Sequence, residues 1–192
     1  MRIITGKFKG RRLKTIKGSE VRPTSDRVKE AIFRIFGERI IDADFLDLCA
    51  GTGNIGLEAL SRGAKSVTFV DRSYHCIRVI ESNLAQCGLH RRHPQVRLIN
   101  LNARKSLAHL SGRKAKFEVI YCDPPYDSEI HGPCLEQISE ARLLAPSGLI
   151  VVEHRKIQGL DLPMPLMAGE LTLNRQEQYG DTVLSFYQWE DD

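Results

Sequence analysis

The chain lacks any apolar run approaching the ~20 residues that span a bilayer, carries one tryptophan in 192 residues, and contains no repeat or low-complexity segment. A membrane span is therefore not expected. Met1-Arg2-Ile3-Ile4 is not followed by the apolar stretch of a signal peptide, so a cytoplasmic location is the expectation. Cysteine is sparse as well. Cys49, Cys76, Cys87, Cys122 and Cys134 are odd in number and form no C-x-x-C pair, which argues against a disulfide framework and favours reduced core thiols. His90-x-x-His93 and His131-x-x-Cys134 lack a second ligand pair at a recognised spacing, so no metal is expected. What remains, 42% hydrophobic residues over this length, suits one domain with a substantial core.

Charge is modest in total but uneven. The net charge is +4, yet residues 1–39 carry twelve Lys or Arg against four Asp or Glu, a net +8, which leaves −4 for the rest. A basic front on a mildly acidic body is the footprint of a polyanionic partner, because each cation that pairs with a phosphate releases a counterion. The basic residues sit in a local pattern. Arg2-Ile3-Ile4-Thr5 and Arg11-Arg12-Leu13-Lys14-Thr15, separated by Gly6 and Gly10, predict a short basic β-hairpin, and Arg22-Pro23-Thr24 ends that arm. Thr24, Ser25 or Asp26 then caps a helix whose apolar positions Val28, Ile32, Ile35, Phe36 and Ile40 follow helical spacing, with Arg27, Lys29 and Arg34 on its surface. The division expected is a basic N-terminal hairpin over 1–24, suited to nucleic acid, and a larger domain over 25–192.

From Phe45 onward short apolar runs alternate with amphipathic stretches. Strands are predicted at 45–49, 66–70, 96–100, 117–122 and 148–153, and helices at 56–62, 74–86, 104–110 and 129–144. That βαβ rhythm predicts an α/β fold with a mostly parallel sheet covered on both faces. Residues 171–179, the turn Gly180-Asp181 and residues 182–189 read as an antiparallel C-terminal hairpin.

Two segments carry chemistry. Asp47-Leu48-Cys49-Ala50-Gly51-Thr52-Gly53-Asn54-Ile55-Gly56 is a strand end, a glycine turn and a helix start, with Gly51, Gly53 and Gly56 in G-x-G-x-x-G spacing and Asp71 ending the next strand. Such a loop lets a ligand approach the backbone, and the second carboxylate suits the hydroxyls of a ribose. Nicotinamide cofactors and S-adenosylmethionine share this layout. Asp47 separates them, because its carboxylate repels a pyrophosphate and attracts the ammonium of a methionine moiety. The second segment is Asp123-Pro124-Pro125-Tyr126, after the apolar run Phe117 to Cys122. Prolines stiffen the turn and remove donors, so a carboxylate, free carbonyls and a flat ring face outward, which suits a planar base bearing an NH2 group. In a doubly wound sheet both segments converge on one crevice, and a cofactor beside an amine-binding turn implies amine methylation.

These segments resemble class I S-adenosylmethionine-dependent methyltransferases, a Rossmann-like fold, and Asp-Pro-Pro-Tyr resembles the branch that methylates exocyclic amines. The sequences Arg2 to Gly6, Lys9 to Leu13, Arg22 to Glu30 and Gly56 to Ala64 are similar to those of the RsmD family of small-subunit ribosomal RNA guanine-N2 methyltransferases, in order from residue 1 to about 155. The resemblance implies that S-adenosylmethionine is the cofactor and the 16S rRNA of the small subunit the partner, with a monomeric enzyme. Position by position it implies that Ala50, Gly51, Thr52 and Gly53 line the methionine end of the cofactor and that Asp71 and Arg72 hold the ribose, with Asp47, Asn54 and Gly56 also counted as cofactor-binding. Asn102 and Ala103 flank the adenine, Asn102 standing where many relatives have an acid and being equally suited to a helix cap. The resemblance further implies that Asp123, Pro124 and Tyr126 hold the guanine, with Pro125 in the same catalytic turn and Asp123 also beside the cofactor. Lys7, Lys9, Arg11, Arg12, Arg22, Thr24 and Arg27 grip the RNA.

Rival readings are a DNA or RNA adenine-N6 or cytosine-N4 methyltransferase, which shares the crevice, a nicotinamide oxidoreductase, which leaves the proline turn unused, and a non-catalytic assembly factor, which needs no crevice. Arg91, Arg92 and Arg97 either extend an RNA footprint or solvate a loop.

Overall fold

The computed structural model describes residues 1–16, 26–124, 130–155 and 170–190. The central sheet is built from β1 (Asp44–Leu48), β2 (Ser66–Val70), β3 (Val96–Ile99), β4 (Phe117–Cys122), β5 (Leu144–Arg155), β6 (Leu171–Tyr179) and β7 (Thr182–Trp189), in the order β3-β2-β1-β4-β5-β7-β6. The first five are parallel and β7 runs antiparallel between β5 and β6. The C-terminal pair is thus the expected hairpin, with its second strand as the inner one.

Period-two alternation assigns each strand residue to a face. Phe45, Val67, Phe69, Val119, Tyr121 and Val151 point into one apolar cluster. Leu46, Leu48, Val70, Ile120, Cys122, Ile150 and Val152 point into the other. Helices α1 (Asp26–Phe36), α2 (Asn54–Ser61) and α3 (Tyr74–Gln86) cover the first face, and α4 (Ala103–Gly112) and α5 (His131–Glu140) the second. Strands buried on both sides have no solvent face to keep polar, which is why they read as near-continuous apolar runs. The chain changes face between β3 and β4, so the strand order reverses between β1 and β4, the switch point at whose carboxyl ends such sheets form their ligand crevice.

The arm, residues 1–16, is less regular than its sequence suggests. One antiparallel bridge joins Arg2 and Arg12, supported by the Ile3 N–H donating to the Arg11 carbonyl and the Leu13 N–H to the Met1 carbonyl. Ile3, Phe8 and Leu13 are buried in the same cluster as α1, α2 and β1. Lys29 departs from expectation most clearly. Instead of lying on the surface of α1, it is 0% exposed and meets Glu58 of α2, likewise 0% exposed, at 3.1 Å. Helical spacing ranks a residue by its own polarity, and a lysine whose partner lies on another helix escapes it. Arg27 and Arg34 are exposed as expected.

Candidate active site at the carboxyl ends of the strands

The glycine loop between β1 and α2 turns through three left-handed residues, Cys49, Gly51 and Gly53, at φ 69°, 54° and 75°. Glycine adopts such angles without steric cost. Gly56 answers a different need, because a Cβ there would stand 2.3 Å from Phe69 Cε1 and 2.9 Å from Asp47 Oδ2. It lets α2 pack directly on the sheet, the role that the third glycine of this spacing plays in dinucleotide folds.

Carboxylates set the loop. Asp71 Oδ2 accepts the Gly51 N–H at 2.9 Å, and its Oδ1 accepts the Ser73 N–H at 2.8 Å. Each oxygen keeps a free lone pair, enough for a diol. Arg72 is exposed, and its carbonyl and that of Asp71 accept from the Asn100 amide at 3.0 and 2.9 Å. Asp47, 2% exposed, accepts the Gly56 N–H at 2.9 Å. Burial pushes its carboxyl up to about 7, against the pull of that hydrogen bond, and nearby Asp71 adds to the rise. Asn102 is exposed and caps α4, its side chain accepting the Lys105 N–H at 2.9 Å, while Ala103 is buried at the first position of that helix. The helix-cap role of Asn102 is therefore realised, whatever else it contacts.

Across the switch point, the Asp123 N–H donates to the Leu48 carbonyl at 3.2 Å, which brings the proline turn beside the glycine loop. The Asp123 carboxyl is held well above the usual range by burial, then by the Glu153 and Asp47 carboxylates. Glu153, on β5 and 3% exposed, accepts the Tyr121 hydroxyl proton from β4. Asp47, Asp123 and Glu153 thus stand at the ends of three neighbouring strands, and neither Asp47 nor Asp123 has an ion pair among the described residues. Pro124 is buried. Pro125 and Tyr126 lie outside the described residues, as do Arg22 and Thr24.

The crevice suits a cationic ligand with a diol and a carboxylate. Buried like charges disfavour one another until a positive group arrives. One orphaned donor is also present: Asn54, 5% exposed at the start of α2, receives the Lys29 ammonium on Oδ1 at 2.8 Å but leaves Nδ2 buried without a partner. An ammonium can only donate, so the Asn54 oxygen must face it and the free group is the NH2. The residues present therefore fit S-adenosylmethionine, with Asp71 for the ribose, Asp47 toward the ammonium and sulfonium, and Asn54 Nδ2 for an acceptor.

Glu153, Glu58, Lys29 and Asn83 are structural participants that the sequence pattern did not bring forward as site residues. Glu153 had a legible signal, a charge ending the apolar run Leu149 to Val152. Lys7, Lys9, Arg11, Arg12 and Arg27 are all exposed. Arg91 pairs with Glu81 at 3.3 Å, and Arg97 lines a groove with Asp44, Ser66 and Lys116 at the amino ends of the strands, opposite the crevice.

Comparison with known proteins agrees with this geometry. The family model described as conserved hypothetical protein 95 matches residues 1–188. A Bacillus subtilis protein named provisionally as an rRNA methyltransferase is 38% identical, over 97% of this chain and 98% of its own. Ribosomal RNA small subunit methyltransferase D of Escherichia coli is 31% identical, over 99% of this chain and 90% of its own. A solved Escherichia coli structure, described provisionally as a methyltransferase, superposes with a TM-score of 0.83 at 32% identity, covering 99% of this chain and 98% of that one. A Rossmann-like α/β sheet, a glycine loop facing a proline turn, and likeness along nearly the whole length lead to one statement: the chain belongs to the conserved hypothetical protein 95 family, the family of ribosomal RNA small subunit methyltransferase D.

Proposed function

We propose that this protein is an S-adenosylmethionine-dependent methyltransferase that modifies the exocyclic N2 amine of a guanine in 16S rRNA, on the assembled small ribosomal subunit. The observation that carries the reading is the meeting of the Asp123-Pro124 turn with the Gly51 to Gly53 loop in one crevice rich in buried carboxylates. The names of the relatives support an rRNA substrate.

When bound, S-adenosylmethionine supplies an electrophilic methyl on a positively charged sulfur. Asp47, Asp71, Thr52 and Asn54 hold it, and the protein's task is to orient the attacking nitrogen. A guanine N2 lone pair is delocalised into the ring, so the amine is a poor nucleophile. Asp123 and the Pro124 carbonyl accept its N–H bonds, which favours a pyramidal nitrogen that gains positive charge in the transition state. Asp123 then stands ready for the departing proton. Because its carboxyl is raised, activity falls with acidification at a pH above the ordinary carboxylate range. Tyr126 stacks on the base, a contact worth ~1–3 kcal/mol in single-stranded recognition. A paired guanine hides its N2 edge in the minor groove, so the target is looped or flipped out. The exposed Lys7, Lys9, Arg11, Arg12 and Arg27, with Arg22 and Thr24, grip the flanking backbone.

The test is transfer of labelled methyl from S-adenosylmethionine to small subunits from cells lacking this protein, followed by nucleoside analysis. N2-methylguanosine is the expected product. Label on adenosine or cytidine overturns the guanine assignment, and cofactor binding without transfer to subunits, naked RNA or DNA overturns catalysis.

A further inference from the structure

The arm that carries the exposed cations is tied to the rest of the molecule by buried side chains that also hold the cofactor loop. Three ties fasten it. Glu58 of α2 accepts the Ile4 and Thr5 N–H groups at 2.8 and 3.0 Å. Ser61 of α2 accepts the Phe8 N–H at 2.9 Å and donates to the Thr5 carbonyl at 2.6 Å, while its own carbonyl accepts the Lys7 N–H at 2.7 Å. Asn83 of α3, 0% exposed, accepts the Lys14 N–H at 2.7 Å and donates back to the Lys14 carbonyl at 3.2 Å.

Asn83 and a fourth tie, Lys29, reach on to the loop. The Asn83 amide also donates to the Thr52 carbonyl at 2.9 Å. The Lys29 ammonium divides its three protons among the Arg2 carbonyl at 2.6 Å, Asn54 Oδ1 at 2.8 Å and Glu58 Oε2 at 3.1 Å. Thr52 and Asn54 flank Gly53, within a loop whose left-handed turns are held on the other side by Asp71 and by the Ala50 N–H bond to Val70. Every donor of Lys29 and every hydrogen-bonding position of the Asn83 amide group toward arm and loop is committed, so neither can follow one partner while keeping the other. A buried polar network of this kind has few alternative arrangements, because each broken bond leaves a desolvated group.

We propose that the N-terminal arm is a positioning element of the cofactor site, acting through Asn83 and Lys29 on Thr52 and Asn54. Seating of the arm and binding of S-adenosylmethionine are then coupled, and by linkage a ligand that steadies the arm tightens cofactor binding and the reverse. The inference rests on the reading of the glycine loop as the S-adenosylmethionine site. No arm residue touches the cofactor in this scheme.

Gly6 supplies the test. It lies at φ +86°, and a Cβ on it would fall 1.8 Å from the Ser61 carbonyl oxygen, so Gly6→Ala must lift the arm without altering any group near the loop. S-adenosylmethionine affinity is measured calorimetrically on the full chain for wild type, Gly6→Ala, Asn83→Leu, their double variant, and Leu110→Ala. Leu110 is a core position in the cluster on the opposite face of the sheet and serves to match lost thermal stability. Gly6→Ala and Asn83→Leu are each expected to weaken binding on the order of tenfold, as for loss of a buried hydrogen bond. The double variant is expected to lose less than the product of the two single losses, since lifting the arm already releases the Asn83 tie to Lys14. Leu110→Ala is expected to bind as wild type. A hundredfold loss in the double variant, unchanged affinity in Gly6→Ala, or an equal loss in Leu110→Ala overturns the coupling. Failure of the wild type to bind overturns the cofactor reading instead.

Discussion

Two regions of this molecule bury charge, and they do so in opposite ways. Around Lys29 the charges are balanced. The ammonium has three acceptors, and Glu58 receives Lys29, Arg62, and the N–H groups of Ile4 and Thr5. At the crevice Asp47 and Asp123 stand near Glu153 with no cation paired to either among the described residues. The first arrangement is complete and holds structure; the second is incomplete, and on the proposed reading a positively charged ligand completes it. Burial alone therefore does not mark a functional charge. The unanswered charge does.

The comparison breaks most readily at Lys29. Lys29→Met leaves buried Glu58 with only Arg62 and two backbone N–H groups and removes the donor to the Arg2 carbonyl and Asn54 Oδ1, with an expected loss of about 3–5 kcal/mol in denaturant unfolding. Adding Glu58→Gln is expected to restore part of that loss, and a double variant as unstable as the single would show that the pair does not act as a unit.

At the crevice the expected effect has the other sign. Asp47 has its carboxyl raised in the folded protein, so its contribution is most favourable at acid pH and is lost as pH climbs from about 4 to about 7. Asp47→Asn keeps an acceptor for the Gly56 N–H and removes that loss. The ligand-free variant is expected to gain stability over wild type, by up to about 3 kcal/mol, between pH 5 and pH 8. Parallel thermal midpoints across that range would mean that Asp47 is not strained by its burial.

Asp123→Ala is expected to slow methyl transfer on the order of a hundredfold or more while cofactor affinity changes little. Equal losses in rate and affinity would make Asp123 structural. The smallest effect is at Glu153, whose charge raises Asp123. Glu153→Gln is expected to move the acid limb of the kcat/KM profile to lower pH, and an unmoved limb would assign that limb to another group.

Much of this was legible in the sequence because the signals are local. The strand runs, the G-x-G-x-x-G spacing with Asp71 twenty positions beyond Gly51, and the turn after β4 each lie within one supersecondary unit, where period and turn chemistry carry the information. Element ends were less legible: α2 begins at Asn54, ahead of the predicted start at Gly56, and β5 begins at Leu144 where a helix was still expected. The N-terminal hairpin shrinks to one bridge because the Ile4, Thr5, Lys7 and Phe8 N–H groups bond to α2 instead of to an opposing strand.

The sequence by itself determined the α/β order, the glycine loop, the acid after β2, the proline turn and the basic front, since each follows from neighbours along the chain. Only the tertiary structure decided that Lys29 is buried, that Glu58 and Asn83 clamp the arm, and that Glu153 stands behind Asp123. A charge or an amide takes its role from the group that answers it, and here those partners lie 25 to 69 residues apart, beyond the reach of any local pattern.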